Sequence, residues 1–299
     1  MNSTRRSVRR KLAVLLTLTV LINWLAPAIF SNGSTALAMP SEKGAASSQP
    51  APDAIATDFV RQIPLSTKDI VYDKNTKKIY ASIPGFVPNR GNSLTQVDPA
   101  TGAVGGSVFI GSEPGKLTIS DNGQYIYSTL DGASAIRRFD VAAQTAGLQF
   151  AIASTPYDMA VLPGKPESIA VTTGTVAIYD NEVRRQTVAS NPNFSAFTFL
   201  DFSSTADTLY ATSGGGSYLN KISVTPGGAS VSTSTAISGP GSDFRYDNGR
   251  IYLAFGQVLD AATGTLLGTF PGLTSNALVL PDSAAGRVYF LTNGSNGSL

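Results

Sequence analysis

The hydrophobic pattern of the chain consists of short alternating runs separated by turn residues. In the run KLTIS, Leu117 and Ile119 alternate with polar residues, and the run QYIYSTL that follows is rich in β-branched and aromatic residues. The tripeptide Asp121–Gly123 separates the two runs. Its Asn-Gly dipeptide tolerates positive φ at both central positions of a tight turn. The pattern therefore predicts a β-hairpin.

The same hairpin pattern recurs along the chain. A close copy, DFRYDNGRIYLAF, places Asp247 126 residues after Asp121, and four weaker copies have longer or different turns. The second strands align at a position that is held by Tyr80, Tyr127, Ala170, Tyr210, Tyr252 and Tyr289. The intervals between these positions are 47, 43, 40, 42 and 37 residues. Because insertions between repeats fall in loops, this scatter is compatible with a single repeated unit.

Two further strands follow most of these hairpins, joined by a turn such as VDPATG or LDAATG. Each unit thus contains four strands in about 42 residues, the length of one propeller blade. A lone sheet would expose two faces and two edges, whereas blades packed face to face around an axis cover both faces. We predict an all-β fold, a β-propeller of four-stranded antiparallel blades. The alternative is a two-layer sandwich of many short strands.

Six copies of the unit are visible, and the last blade is incomplete. The final copy has only two strands before NGSNGSL. Phe59–Ile63 has the pattern of an outermost strand without a blade of its own, and we expect it to complete the last blade. Two hypotheses follow. The chain is a six-bladed ring that lacks one strand, or, as we favour, it is a piece of a longer protein that completes a sixth or seventh blade.

The hairpin NGQYIYST followed by the turn VDPATG resembles the bacterial YVTN-type β-propeller repeat. The places of the Tyr-Val-Thr-Asn strand of that family hold IYAS, IYST, IAVT, LYAT, IYLA and VYFL here. The resemblance covers residues 58–299. It implies an exported bacterial propeller, and it implies the fold more than the function because propellers of this kind have many roles.

Residues 1–38 have the pattern of a bacterial signal peptide. The basic stretch MNSTRRSVRRKL precedes an apolar run, Ala13–Phe30, and a small-x-small motif ends at Ala38. The alternative is an uncleaved membrane anchor, because the apolar run is near the shortest length that spans a bilayer. We predict a signal peptide over 1–38, a flexible Pro/Ala/Ser-rich linker over 39–57 and the propeller over 58–299. The expected location is secreted, periplasmic or at the cell surface, with no membrane segment beyond the export signal.

The charge of the mature chain does not favour nucleic acid as a partner. Without residues 1–38, 17 basic residues face 20 acidic ones, which gives a net charge of −3. The chain also has no basic stripe with interleaved aromatic residues, so we predict no nucleic-acid binding.

The chain contains no His and no Cys. A Ser-His-Asp triad and a metal site with His or Cys ligands cannot be built, and disulfides are excluded. Propeller lyases and lactonases that resemble this fold often use a histidine, so their chemistry does not transfer. We predict no cofactor and, more than an enzyme, a non-catalytic binding or scaffold module that acts as a monomer on a protein or carbohydrate ligand. The alternatives are a lactonase-like or quinoprotein-like enzyme and an adhesion or envelope component of a longer multidomain chain.

Two sets of residues are candidates for binding. The loops SIPGFVPNRGNS and TSGGGSYLN connect second and third strands, so they lie on one face of the ring, where propeller loops often bind ligands. Their candidate ligand-binding residues are Phe86, Arg90 and Tyr218. The second set is the acids of the turn between third and fourth strands, Asp98, Asp140, Asp180 and Asp260. Their oxygens suit Ca²⁺. Their recurrence at one position favours caps of their own turns, and we predict no metal site.

Overall fold

The computed structural model describes residues 61–193, 195–213, 218–237, 243–273 and 277–292. The predicted signal peptide and linker lie outside the described residues. Every regular element in the described part is a β-strand. Within these ranges, no helix is long and apolar enough to cross a membrane.

The described strands form five four-stranded antiparallel sheets and one two-stranded sheet, in chain order. We call these sheets blades. The first blade contains β1 (Asp69–Asp73), β2 (Lys78–Ile83), β3 (Ser93–Val97) and β4 (Val104–Phe109), and the second contains β5 (Pro114–Ile119), β6 (Tyr125–Leu130), β7 (Ala135–Asp140) and β8 (Thr145–Ala151). The third contains β9 (Asp158–Leu162), β10 (Lys165–Thr172), β11 (Val176–Asp180) and β12 (Val183–Arg184). The fourth blade contains β13 (Phe199–Phe202), β14 (Thr208–Thr212), β15 (Tyr218–Thr225) and β16 (Gly228–Ala236). The fifth contains β17 (Phe244–Asp247), β18 (Arg250–Leu253), β19 (Gln257–Asp260) and β20 (Leu266–Thr269), and the sixth contains β21 (Ala277–Asp282) and β22 (Arg287–Thr292).

The first strands of successive blades contact one another in order, from β1 through β5, β9, β13 and β17 to β21. They therefore surround a common axis, and the other strands of each blade extend outward from it. Five apolar clusters fill the five seams between successive blades. This arrangement confirms the predicted all-β propeller, with five complete blades and a sixth that has two strands in the described part of the chain.

The aligned tyrosines of the repeat are buried at the seams, apart from Tyr289 of the sixth blade, which is half-buried. Tyr127 is fully buried, and its hydroxyl donates to the Pro166 carbonyl of the next blade at 2.8 Å. Tyr210 likewise donates to the Ala261 carbonyl of the next blade at 2.8 Å. The repeat therefore uses tyrosine because one side chain supplies apolar packing and a hydrogen bond between blades.

The two Asn-Gly hairpins differ in their turns. Asn248 and Gly249 both have positive φ, 46° and 77°, and connect two directly paired residues, as expected for a two-residue hairpin loop. In the corresponding turn of the second blade, Gly123 has positive φ but Asn122 does not, and the Ser120 amide donates to the Tyr125 carbonyl across a wider turn. The hairpin prediction is confirmed in both places, but of these two Asn-Gly turns only the one in the fifth blade is a two-residue turn.

The N-terminal segment does not match the strand that the sequence predicts. Residues 61–67 form no strand, and Phe59 lies outside the described residues. The Arg61 guanidinium donates to the Ala100 carbonyl at 3.2 Å, and the Thr67 hydroxyl donates to the Ser82 carbonyl at 3.0 Å. Both partners belong to the first blade, so the described part of this segment lies along that blade.

Candidate functional site

The two predicted loops lie on the same end of the ring. Strand order places the connections between second and third strands, and those between blades, at one end, which we call the top face. The turns between first and second strands, and between third and fourth strands, lie at the opposite end, the bottom face. The top face thus contains the loop between β2 and β3 and the described part of the loop between β14 and β15.

The three predicted ligand-binding residues do not form one site. Phe86 is 68% exposed at the top of the first blade. Arg90 donates to the Gly105 carbonyl and to the Ser107 hydroxyl, both at 2.8 Å, so its guanidinium lies against the outer strand of its own blade. Tyr218 is half-buried at the start of β15 in the fourth blade. Two blades lie between Tyr218 and the other two residues along the ring.

The four turn acids lie at the bottom face, and three of them accept hydrogen bonds from amides of their own turns. Asp98 accepts from the amides of Ala100 and Thr101, and Asp260 accepts from those of Ala262 and Thr263. These are the hydrogen bonds of turn caps.

Asp140 and Asp180 complete this set of turn acids. Asp140 accepts from the Ala143 amide, whereas Asp180 pairs with the Arg185 guanidinium through both carboxylate oxygens at 2.8 Å. The Arg185 hydrogen bond lowers the pKa of Asp180. The described residues contain no group of three or more acids placed to hold a metal ion.

A second constellation, which we call the axial charges, lies on the first strands of the blades around the axis. Pairing registers place Asp201 and Arg245 directly opposite the repeated tyrosines Tyr210 and Tyr252. Four more charged residues lie two positions earlier in the repeat, toward the top face. They are Asp69, Lys116, Asp158 and Asp243.

Three of these carboxylates bridge neighbouring first strands. Asp69 accepts from the Leu117 amide at 2.8 Å, Asp158 from the Leu200 amide at 2.9 Å, and Asp201 from the Tyr246 amide at 2.8 Å. Each acceptor lies one blade before its donor. The carboxylates are therefore held rigidly by the strands on both sides, and each remains only half-buried.

The positions of the axial charges shift their pKa values. Burial raises the pKa of Asp158 and of Asp201 to about 6, against the lowering effect of Arg245 on both and of Lys116 on Asp158. Burial also raises the pKa of Asp69. Burial disfavours the charge of Arg245, but the acids Asp243, Asp201 and Asp158 outweigh it and raise the pKa of Arg245.

The axial charges were not among the sequence-predicted site residues, although the repeat contained a signal for them. Three of the six aligned copies begin with aspartate, at Asp69, Asp158 and Asp243. An aspartate that recurs at one repeat position is expected to cap a turn. These aspartates lie instead where the first strands begin, and the described part of the chain has no helix that they could cap. Asp201 and Arg245 lie within strands whose sequence patterns are mainly apolar or aromatic, so the sequence does not mark them as members of this group. Only the strand register of the structure places them there.

The axial charges can bind a charged ligand, but their side chains do not form a pair of nucleophile and general base. Four carboxylates and two basic groups give it a net charge of −2 when all are ionised. A set of rigidly held, half-buried carboxylates with this net charge around the axis favours positively charged groups.

No family model matches this chain, and no curated protein matches it. Among solved structures it is similar to hydrazine synthase of Kuenenia stuttgartiensis, at 16% identity and a TM-score of 0.57, over 75% of this chain and 73% of that chain. It is also similar to the Cps50 (Swd1) β-propeller domain of Myceliophteria thermophila, at 15% identity and a TM-score of 0.56, over 71% of this chain and 74% of that chain. At such identities these likenesses concern the fold alone. They agree with the geometry described above: the chain folds as a β-propeller.

Proposed function

We propose that this protein is an exported, non-catalytic β-propeller of the YVTN type that serves as a binding or scaffold module at the cell surface or in the periplasm. Its binding surface is the top face around the axis, and its ligand presents a positively charged group, such as a lysine or arginine side chain of a partner protein. The signal-peptide pattern of residues 1–38 and the absence of His and Cys from the sequence support the first part of this proposal.

The axial charges are the observation on which the binding proposal depends. Asp158 and Asp201 belong to adjacent blades, and burial raises the pKa of each carboxyl to about 6, so its ionised form is disfavoured in the folded protein. Lys116 and Arg245 offset only part of the negative charge of the four acids. A ligand cation at the top face would stabilise the ionised carboxylates, and it would meet side chains that the bridging hydrogen bonds already hold in place.

The test is a titration of the mature protein with two synthetic peptides, one with a terminal arginine and one with norleucine in its place. We expect binding of the arginine peptide only, with an affinity that falls as salt rises. The double variant Asp158→Asn, Asp201→Asn keeps the acceptors for Leu200 and Tyr246 but removes both charges, so it should bind at least 10-fold more weakly, a loss of about 1.4 kcal/mol. Asp207→Asn, an exposed acid at the bottom face, is the matched control.

Equal binding of both peptides, or full binding by the double variant, would remove the axial charges from the proposal. Turnover in a lactonase or dehydrogenase screen that the double variant abolishes would replace the binding module with the alternative of a propeller enzyme.

A further inference from the structure

A polar cluster lies at the top of the seam between the third and fourth blades. The segment that leaves the third blade is irregular there, because β12 has only two residues and the chain then crosses toward the fourth blade. This segment contributes Asn191, Asn193 and Ser195, and the top of the fourth blade contributes Ser213, Asn220 and Ser234. None of the six side chains is charged. We call them the seam cluster.

Strand register shows which side of the fourth blade the cluster occupies. Asn220 is paired with Ala211 on one neighbouring strand and with Ser234 on the other, and residues paired in this way point to the same face of a sheet. Ala211 packs with Phe197 in the apolar cluster between the third and fourth blades. Asn220 therefore faces the third blade, whereas its neighbour Leu219 packs toward the fifth.

Most of the seam cluster is hydrogen-bonded within itself. Asn191 donates to the Ser195 hydroxyl at 3.2 Å, and Ser195 donates to the Ser213 hydroxyl at 3.1 Å. Asn193 donates to the Ser234 hydroxyl at 2.9 Å. The cluster extends from exposed members at the surface (Asn193, Ser195 and Ser234) to buried members beneath them (Asn191, Ser213 and Asn220).

Asn220 is the exception. Its side chain is 0% exposed, and neither Oδ1 nor Nδ2 has a hydrogen-bonding partner in the described part of the chain. A buried amide without partners loses its hydration and gains nothing in return, and nearly all buried polar groups in native proteins are satisfied by protein, water or a ligand.

We propose that the seam cluster is a binding site for neutral hydroxyl groups, which donate to Oδ1 of Asn220 and accept from Nδ2. A hydroxyl is the smallest group that can do both. An ion is disfavoured because the cluster supplies no countercharge for a desolvated guest. Solvent water and the hydroxyls of a carbohydrate share this chemistry. Tyr218, two residues before Asn220 on the same face of β15, provides a half-exposed aromatic ring at the rim. This site is independent of the axial charges.

The first test is the urea-unfolding midpoint of the full chain carrying Asn220→Leu, a change that nearly keeps the side-chain shape. If hydroxyl groups occupy the site, the substitution removes their hydrogen-bonding partners and leaves a bound hydroxyl against methyl groups, so the midpoint should fall. If the site is empty, the substitution removes two unpaired polar atoms, and the midpoint should rise or stay unchanged. Thr233→Val is the matched control, because Thr233 lies on β16 next to Ser234 but faces the opposite side, and its midpoint should not change.

The second test separates the two sources of hydroxyl. A crystal structure at a resolution that shows ordered water should place an oxygen within hydrogen-bonding distance of the Asn220 amide. Titration with neutral monosaccharides then decides its origin: an affinity that Asn193→Ala lowers at least 10-fold indicates a carbohydrate hydroxyl, and no affinity indicates water. A map without any atom at Asn220, or a midpoint of Asn220→Leu at or above that of the wild-type protein, overturns the site.

Discussion

Asp158 and Asp201 make the stability of the ring depend on pH. Their pKa values of about 6 in the folded protein exceed the ordinary 3.8, so folding favours the protonated forms. Their contribution to stability is complete below the ordinary pKa and is lost as pH rises through the folded pKa. We therefore expect a higher urea-unfolding midpoint near pH 5 than near pH 7.5. The corresponding difference in the free energy of unfolding is on the order of 1 to 2 kcal/mol.

Two variants assign this pH dependence. Asp158→Asn keeps an oxygen for the Leu200 amide but cannot ionise, so its midpoint should change less between the two pH values and should exceed that of the wild-type protein at the higher one. Asp207→Asn should leave the difference intact, because hydrogen bonds from Thr205 and Thr208 lower the pKa of Asp207 and place its effect below this pH range. Equal midpoints for the wild-type protein at both pH values would contradict the prediction.

The repeated tyrosine makes a second prediction for a single side chain. Tyr127→Phe keeps the ring in its fully buried seam position but leaves the Pro166 carbonyl without its donor. We expect a loss of about 1 kcal/mol in the free energy of unfolding, measured by urea denaturation. Tyr72→Phe, at a side chain that is 53% exposed, should lose much less. Indistinguishable midpoints for the two variants would show that the hydroxyl of Tyr127 adds nothing to the seam.

Among the strands, the sequence pattern was informative wherever the repeat was regular. Alternation around Leu117 and Ile119 predicted their hairpin because each strand packs one face against a neighbouring blade. The pattern was least informative in the third blade, where the predicted fourth strand exists but β12 has only two residues. In the strand predicted at Phe59–Ile63, the described residues 61–63 form no strand, and the Arg61 side chain contacts the first blade instead.

The candidate site was less predictable than the strands, for a physical reason. Phe86, Arg90 and Tyr218 were selected from loop length, which indicates the face of the ring but not the distance between loops. The convergence of Asp201 and Arg245 depends on register between blades, which a single blade pattern does not contain. Asn220 belongs to an ordinary strand sequence, and only the burial of its amide distinguishes it.

The irregular segment that follows β12 in the third blade passes so close to the fourth blade that a glycine is required there. Gly228 has a φ of +134° and pairs with Thr187 as a bridge between the two blades, and a Cβ at this position would collide with the Thr187 backbone. We expect Gly228→Ala to lower the free energy of unfolding by roughly 2 kcal/mol or more, in thermal or urea unfolding. Gly106→Ala, where a Cβ meets nothing within 4 Å, is the control. Similar losses in both variants would contradict the steric argument.

For the molecule as a whole, each apolar seam joins blades that are neighbours in the chain, as in the cluster that contains Tyr80 and Phe139. A unit that covers only its neighbours can be repeated without a change in its own sequence pattern, which is why the fold followed from the repeat. The seams differ in their polar content, and the axial charges and the seam cluster arise from those differences. Fold and candidate sites thus come from separate parts of each blade.

Export would change the charge of the whole molecule. Residues 1–38 hold five basic residues and no acid, so their removal changes the net charge from +2 to −3. We expect the exported protein to begin at Met39 and to focus at an acidic isoelectric point, whereas the full chain has a sequence value of about 8.7. Isoelectric focusing with N-terminal sequencing checks both. A variant with Ala36 and Ala38 changed to bulky residues should keep the basic value, since signal peptidase requires small residues there. An exported wild-type chain that retains Met1 and a basic isoelectric point would instead establish the uncleaved anchor.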